Sequence, residues 1–121
     1  METRSDTPEA ADTPTILETP GSDTLGPRIL ARGRRMAMRM WVEDETVNPK
    51  EPRAHEYEVV GYVTEGSATL DANGQSLDLE AGDSYCIPPG VTHVWTIKSA
   101  FKCIEATSPP AQDVGTDATP T

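Results

Sequence analysis

The chain has few basic residues and no long hydrophobic run. Ten Lys and Arg residues stand against twenty Asp and Glu residues, which gives a net charge of −10 over 121 residues. Proteins that bind nucleic acids or anionic membranes need a net basic face, so neither function is expected. No segment is apolar for long enough to span a bilayer, and the N-terminus lacks the basic start and apolar run of an export signal. We therefore expect a cytoplasmic protein.

Cysteine is also scarce. Cys86 and Cys103 lie far apart, both within apolar segments. Because disulfides are uncommon in the cytosol, we expect two buried free thiols. A thiol that lines a pocket is the alternative.

Large apolar side chains are almost absent from both ends of the chain, where Thr, Pro, Asp and Glu predominate. Such segments cannot bury enough apolar surface to offset the loss of chain entropy. We therefore predict disordered tails at residues 1–26 and 108–121, flanking one domain at residues 27–107. That domain holds twelve acidic and nine basic side chains, so most of the negative charge belongs to the predicted tails.

One basic cluster interrupts this pattern. It comprises Arg28, Arg32, Arg34, Arg35 and Arg39. We interpret it as the solvated face of a strand. The alternative is a strip that contacts anions or pairs subunits.

The sequence lacks the helical periodicity of apolar residues and shows instead the residue-by-residue alternation that is typical of β-strands. In RRMAMRMWVE the alternate residues Met36, Met38 and Met40 are methionine, and EVVGYVTEG is typical of a buried strand that ends at Gly66. Asn73-Gly74 predicts a two-residue hairpin turn, because both residues accept positive φ angles. Seven or eight short strands, separated by such turns, predict an all-β sandwich or barrel. Closing the edges of so small a sheet calls for a barrel or a homodimer.

Histidine occurs only twice, and each histidine lies in a motif. The segment GDSYCIPPGVTH resembles the second conserved motif of the cupin family in the spacing of Gly82, Pro88, Gly90 and His93. Upstream, RAHEYEVVGYVTEGSATL resembles the first cupin motif and includes His55. The resemblance covers roughly residues 35–107. It implies a jelly-roll β-barrel of short antiparallel strands, which is often dimeric and often holds a metal.

The resemblance also implies a ligand set, of which this chain keeps only part. In metal-binding cupins the first motif offers two histidines one residue apart and then a glutamate. The second of these histidines is His55, whereas Arg53 and Val59 occupy the other two positions. His93 keeps the ligand position of the second motif, and Ile97 replaces the asparagine often found there.

Two further residues are candidates for a third metal ligand. Tyr57 shares strand parity with His55, and Glu58 would reach the same face if the strand were bulged. In a regular strand Glu58 would instead be an exposed carboxylate that points outward. With His55 and His93 they form the predicted metal site, and the metal would be Fe, Mn, Ni or Zn.

Arg53 and Trp95 are the predicted ligand-binding residues. A fixed cation repels a divalent metal at short range. Arg53 therefore fits better with a ligand anion or with a protein carboxylate such as Glu58 or Glu105. The alternative is that Arg53 lies at the mouth of the barrel and extends into water. Trp95 shares strand parity with His93 and is predicted to line a pocket for a small molecule.

Three functions remain open. The first is a metal-dependent enzyme, an oxygenase or isomerase, in which two histidines hold a divalent ion. The second is a metal-free module that binds a small anionic or sugar-like molecule. The third is a structural role with a filled barrel. We place the first marginally ahead, because both histidines occupy ligand positions of the family.

Overall fold

Six antiparallel β-strands make up the part of the chain that the computed structural model describes, residues 25–111. They are β1 Gly26–Arg32, β2 Ala37–Glu43, β3 Glu58–Ala72, β4 Gln75–Glu80, β5 Ser84–Ile87 and β6 His93–Ser108. The strand order is β1-β2-β6-β3-β4, and β5 also pairs with β3. The prediction of an all-β jelly-roll barrel is confirmed. Within the same range no helix is long and apolar enough to cross a membrane.

Two long strands replace four of the short strands that the sequence predicted. β3 has 15 residues and β6 has 16. The first half of β3 pairs with β5 and the end of β6, whereas its second half pairs with β4 and the start of β6. Gly66 lies where the register shifts, with a φ of 82°, and a Cβ there would overlap the carbonyl of Ala100. The predicted strand end at Gly66 is wrong, because the chain bends there without leaving the sheet.

An aromatic core joins the two halves of the barrel. The ring centre of Trp95 on β6 lies 5.0 Å from that of Trp41 on β2 and 5.2 Å from that of Tyr85 on β5. Phe101 contacts both tryptophans at 5.4 and 5.6 Å. All four side chains are buried. Because aromatic side chains bury large apolar areas, these few rings supply much of the core of a small domain.

The predicted tight turns are present. Asn73 and Gly74 have φ angles of 51° and 78° and join β3 to β4, so the two-residue hairpin is confirmed. Gly90, in the Pro-Pro-Gly turn, has a φ of 79°. Its N–H donates to the carbonyl oxygen of His55 at 2.7 Å. This turn therefore ties the loop that carries His55 to the start of β6.

The domain continues past Thr107. Pro110 and Ala111 are buried, and the N–H of Ala111 donates to Oγ1 of Thr107 at 3.0 Å. Residues 108–111, which the sequence assigned to a disordered tail, thus pack against the barrel. The disorder predicted for residues 1–24 and 112–121 lies outside the described residues.

The two cysteines differ in burial. Both are free thiols, but Cys103 is buried and Cys86 is exposed. Tyr85 and Ile87 on either side of Cys86 are buried, so Cys86 faces outward from β5. The expectation of burial is therefore confirmed for Cys103 and wrong for Cys86.

Candidate functional site

His93, the first residue of β6, presents a buried hydrogen-bond acceptor. Its side chain is 1% exposed, and its Nδ1 lies 3.0 Å from the carbonyl oxygen of Val91. The Nδ1 proton is assigned from that contact, which leaves Nε2 as an acceptor. Nε2 is buried and has no hydrogen-bond partner within residues 25–111. Burial lowers the pKa of His93 below its ordinary value, so the ring is neutral at pH 7.

Arg53 lies directly opposite His93. Each residue donates its N–H to the other's carbonyl oxygen, at 3.0 Å from Arg53 and 2.8 Å from His93. Facing residues of an antiparallel pair present their side chains on the same face. Arg53 therefore extends from the same face as His93, and it is half-buried. It also adds a small contribution, after the larger effect of burial, to the lowered pKa of His93.

His55 and Tyr57 complete this side of the barrel. Their rings stack with centres 4.6 Å apart and planes 9° apart, and both side chains are buried. The ring centre of His55 lies 5.2 Å from that of His93. The two histidines therefore lie together, although they are far apart in sequence.

A buried ion pair is linked to the histidines through Tyr57. Nε of Arg39 on β2 donates to Oε1 of Glu105 on β6 at 2.8 Å, and both side chains are at most 1% exposed. Tyr85 donates its hydroxyl proton to the other oxygen of the Glu105 carboxylate. A second nitrogen of Arg39 donates to the hydroxyl oxygen of Tyr57 at 3.4 Å. Polar contacts thus run from β6 through β2 to the stacked rings.

The prediction that Arg39 lies on the solvated face of a strand is wrong. Along β2, Arg39 alternates in phase with Ala37 and Trp41, both of which are buried. That shared parity with a tryptophan was the available signal. Glu105, one of the two acids predicted as a partner for Arg53, forms an ion pair with Arg39.

Tyr85 and Cys103 are held in their protonated forms. Burial raises the pKa of Tyr85 well above its ordinary value, and the charge of Glu105 raises it further. Burial likewise raises the pKa of the Cys103 thiol, whose sulfur lies 3.3 Å from the hydroxyl of Tyr85. Gly61 makes room for this arrangement, because a Cβ there would overlap the ring of Tyr85.

The remaining predicted site residues lie elsewhere. Glu58 is exposed, and it alternates with the buried residues Tyr57 and Val59. Trp95 is 1% exposed and packs within the aromatic core. The structure thus brings Arg53 and His93 together with the stacked pair of His55 and Tyr57, and it places Glu58 on the outer face.

The side chains at this site do not fit a catalytic metal with three protein ligands. Within residues 25–111 no group of three His, Cys, Asp or Glu side chains is arranged to hold a metal. Catalytic sites for a metal such as zinc usually provide three protein ligands. Glu105, the one buried carboxylate among residues 25–111, is engaged by Arg39 and Tyr85. Two imidazoles that bind one ion through bonds of about 2.1 Å hold their ring centres roughly 5 Å apart. The 5.2 Å between the ring centres of His55 and His93 therefore allows an ion with these two protein ligands and no more.

Comparisons with known proteins give a family, a partial relative and structural neighbours. A family model described as Cupin domain matches residues 39–105. The HTH-type transcriptional regulator PuuR of Escherichia coli (strain K12) is 43% identical over 49 residues, which are 40% of this chain and 26% of the regulator. The chain therefore spans about a quarter of the length of that relative.

Two solved structures resemble the barrel. An RmlC-like cupin from Shewanella frigidimarina NCIMB 400 has 26% sequence identity and a TM-score of 0.65, over 72% of this chain and 78% of that one. KdgF from Halomonas sp. has 23% identity and a TM-score of 0.64, over 73% of this chain and 84% of that one.

Proposed function

This chain belongs to the cupin family, and from that premise we propose that it binds a small molecule through Arg53, His55 and His93 without a resident metal. The observation that carries this proposal is the buried Nε2 of His93, which has no hydrogen-bond partner within residues 25–111. Leaving a buried acceptor unsatisfied costs about 1–3 kcal/mol, which a bound donor would recover. Arg53 extends from the same face and supplies a cation beside it.

The partial relative is compatible with a binding module. PuuR is a transcriptional regulator, and its similarity to this chain falls on about a quarter of its length. A barrel that binds a small molecule suits a regulatory setting as well as it suits an enzyme. The expectations that this chain binds no nucleic acid and is cytoplasmic stay predictions.

Ligand-dependent thermal stabilisation tests the proposal. A ligand that binds the folded state raises Tm by mass action, so a panel of small acids, sugars and amines should contain a class that raises Tm of the full chain. We expect His93→Leu and Arg53→Gln to remove this rise, whereas Glu58→Gln, at an exposed neighbour, should retain it. An unchanged rise in both site variants, or no rise with any compound, would contradict the proposal.

The spacing of the two imidazole rings favours a second candidate. His55 and His93 would hold a divalent ion (Fe, Mn, Ni or Zn) with two protein ligands, on which oxygenase or isomerase activity would depend. Elemental analysis of protein purified without chelator separates the candidates. A metal content near one ion per chain that falls in His93→Ala supports the ion, and a content that His93→Ala leaves unchanged rejects it.

A further inference from the structure

We propose that the ligand of this site is a small hydroxycarboxylate. Its hydroxyl would donate to Nε2 of His93, and its carboxylate would accept from the guanidinium of Arg53. This inference rests on the proposed binding function and names the chemistry of the ligand.

The hydroxyl follows from the state of His93. The Nδ1 proton is directed to the carbonyl of Val91, so the ring can only accept at Nε2. The ligand must therefore bring a donor, which is either a hydroxyl or an amine. A cationic amine is disfavoured, because the guanidinium of Arg53 extends from the same face as His93. A hydroxyl satisfies Nε2 without adding positive charge.

The carboxylate follows from Arg53. The interior charges of Arg39 and Glu105 offset each other in their ion pair. The guanidinium has five N–H donors in a fork that matches a carboxylate, so it can hold a ligand and still keep a contact to the protein.

The pairing of the two residues limits the size of the ligand. Arg53 and His93 are joined by two backbone hydrogen bonds and lie opposite each other. Side chains at such positions begin about 5 Å apart. One small molecule that carries both groups on neighbouring carbons can therefore reach both residues.

Isothermal titration of the full chain with three matched three-carbon probes tests the inference. The probes are glycerate, which carries both groups, propionate, which lacks the hydroxyls, and glycerol, which lacks the carboxylate. We expect glycerate to bind at least about tenfold more tightly than either analogue, the ratio that one hydrogen bond of about 1.4 kcal/mol gives.

Variants assign each group to its residue. Arg53→Gln should abolish the preference for glycerate over glycerol, and His93→Leu should abolish the preference for glycerate over propionate. His93→Gln is the second variant at this position, and each variant must first show cooperative unfolding. Glu58→Gln is the matched control and should keep both preferences.

The outcomes separate this inference from the proposed function. Equal affinities for glycerate and either analogue would overturn the hydroxycarboxylate. The hydroxycarboxylate is also overturned if none of the three probes binds while another compound raises Tm and His93→Leu removes that rise. In that case the proposed binding function still stands. If no compound raises Tm, both fail.

Discussion

At the scale of single residues, the carboxylate of Glu105 places the strictest demand on its surroundings. It is fully buried, and Arg39 and Tyr85 each donate to one of its oxygens. A buried charge whose partner is removed is far more costly than the pair is favourable. The ion pair therefore determines which side chains can share the interior more than it adds to the free energy of unfolding.

A double-mutant cycle on this ion pair tests that statement. We expect Arg39→Met and Glu105→Leu each to lower the free energy of unfolding by about 3–5 kcal/mol, because each leaves a buried charge without its partner. The double variant should lose much less than the sum of the two. Lys102→Met is the control, since Lys102 lies 3.6 Å from the exposed carboxylate of Glu65 and should cost less than about 1 kcal/mol. Urea denaturation measures the free energy of unfolding of the unsubstituted chain and the four variants, and additive losses in the cycle would contradict the prediction.

Tyr85 and Cys103 predict a loss of stability at alkaline pH. Both pKa values are raised in the folded state above ordinary values of 10.0 and 9.0. Their contribution to the free energy of unfolding is therefore fully present below pH 9.0. It is lost as the pH rises beyond that value, because the thiol and the phenol of the unfolded chain release their protons first.

Urea midpoints at about pH 8 and about pH 10.5 test this prediction. Tyr85→Phe should reduce the alkaline loss relative to the unsubstituted protein. Equal alkaline losses in the two proteins would contradict the assignment to Tyr85.

At the scale of elements, local features could be predicted from the sequence and long-range features could not. The Asn73-Gly74 turn depends on two adjacent residues, so its sequence suffices. The continuity of β3 through Gly66 depends on pairing with β6, about 30 residues further along the chain. The position of Arg53 likewise depends on its bridge to His93, and the burial of Arg39 depends on Glu105. Spacing alone therefore located the histidines but not the charges around them.

Gly66 and Gly74 form a matched pair for testing the bend in β3. Both have positive φ angles, but a Cβ on Gly66 would overlap the backbone of Ala100, whereas nothing lies within 4 Å of a Cβ on Gly74. Positive φ alone costs an alanine about 1–2 kcal/mol. We expect Gly74→Ala to lower the free energy of unfolding by that amount and Gly66→Ala to lower it at least twice as much, as measured by urea denaturation. Equal losses would show that the close approach at Gly66 contributes nothing.

At the scale of the whole molecule, the outer face of the sheet is apolar across four strands. The cross-strand register aligns Met38 of β2, Ala106 of β6, Val60 of β3 and Cys86 of β5 in one row. The next row contains Met40, Ile104, Tyr62 and Ser84. Met38, Val60 and Tyr62 are 44%, 46% and 52% exposed. Monomeric proteins rarely leave so continuous an apolar surface in water.

We expect a second copy of the chain to cover this face. Its two rows carry no charge, so two copies of the surface can pack against each other without burying a charge. Arg28 and Glu58 at its borders carry opposite charges, which can pair across a two-fold axis. Sedimentation should show a dimer that Val60→Glu converts to a monomer. Val47→Glu, at a 96% exposed position outside the strands, should leave the dimer intact. A native monomer, or a complex only with a different protein, would contradict this prediction.

The continuity of β3 and β6 governs how quickly the barrel folds. Ala37 pairs with Thr107 and Glu58 with Ser108, so distant parts of the chain must meet before the central strands are held in place. Closing such large loops costs entropy before any contact compensates for it, and chains dominated by non-local pairing fold in roughly milliseconds to seconds. Because each long strand belongs to both halves, neither half can form on its own. We therefore expect slow refolding with a single exponential phase that spans the whole barrel.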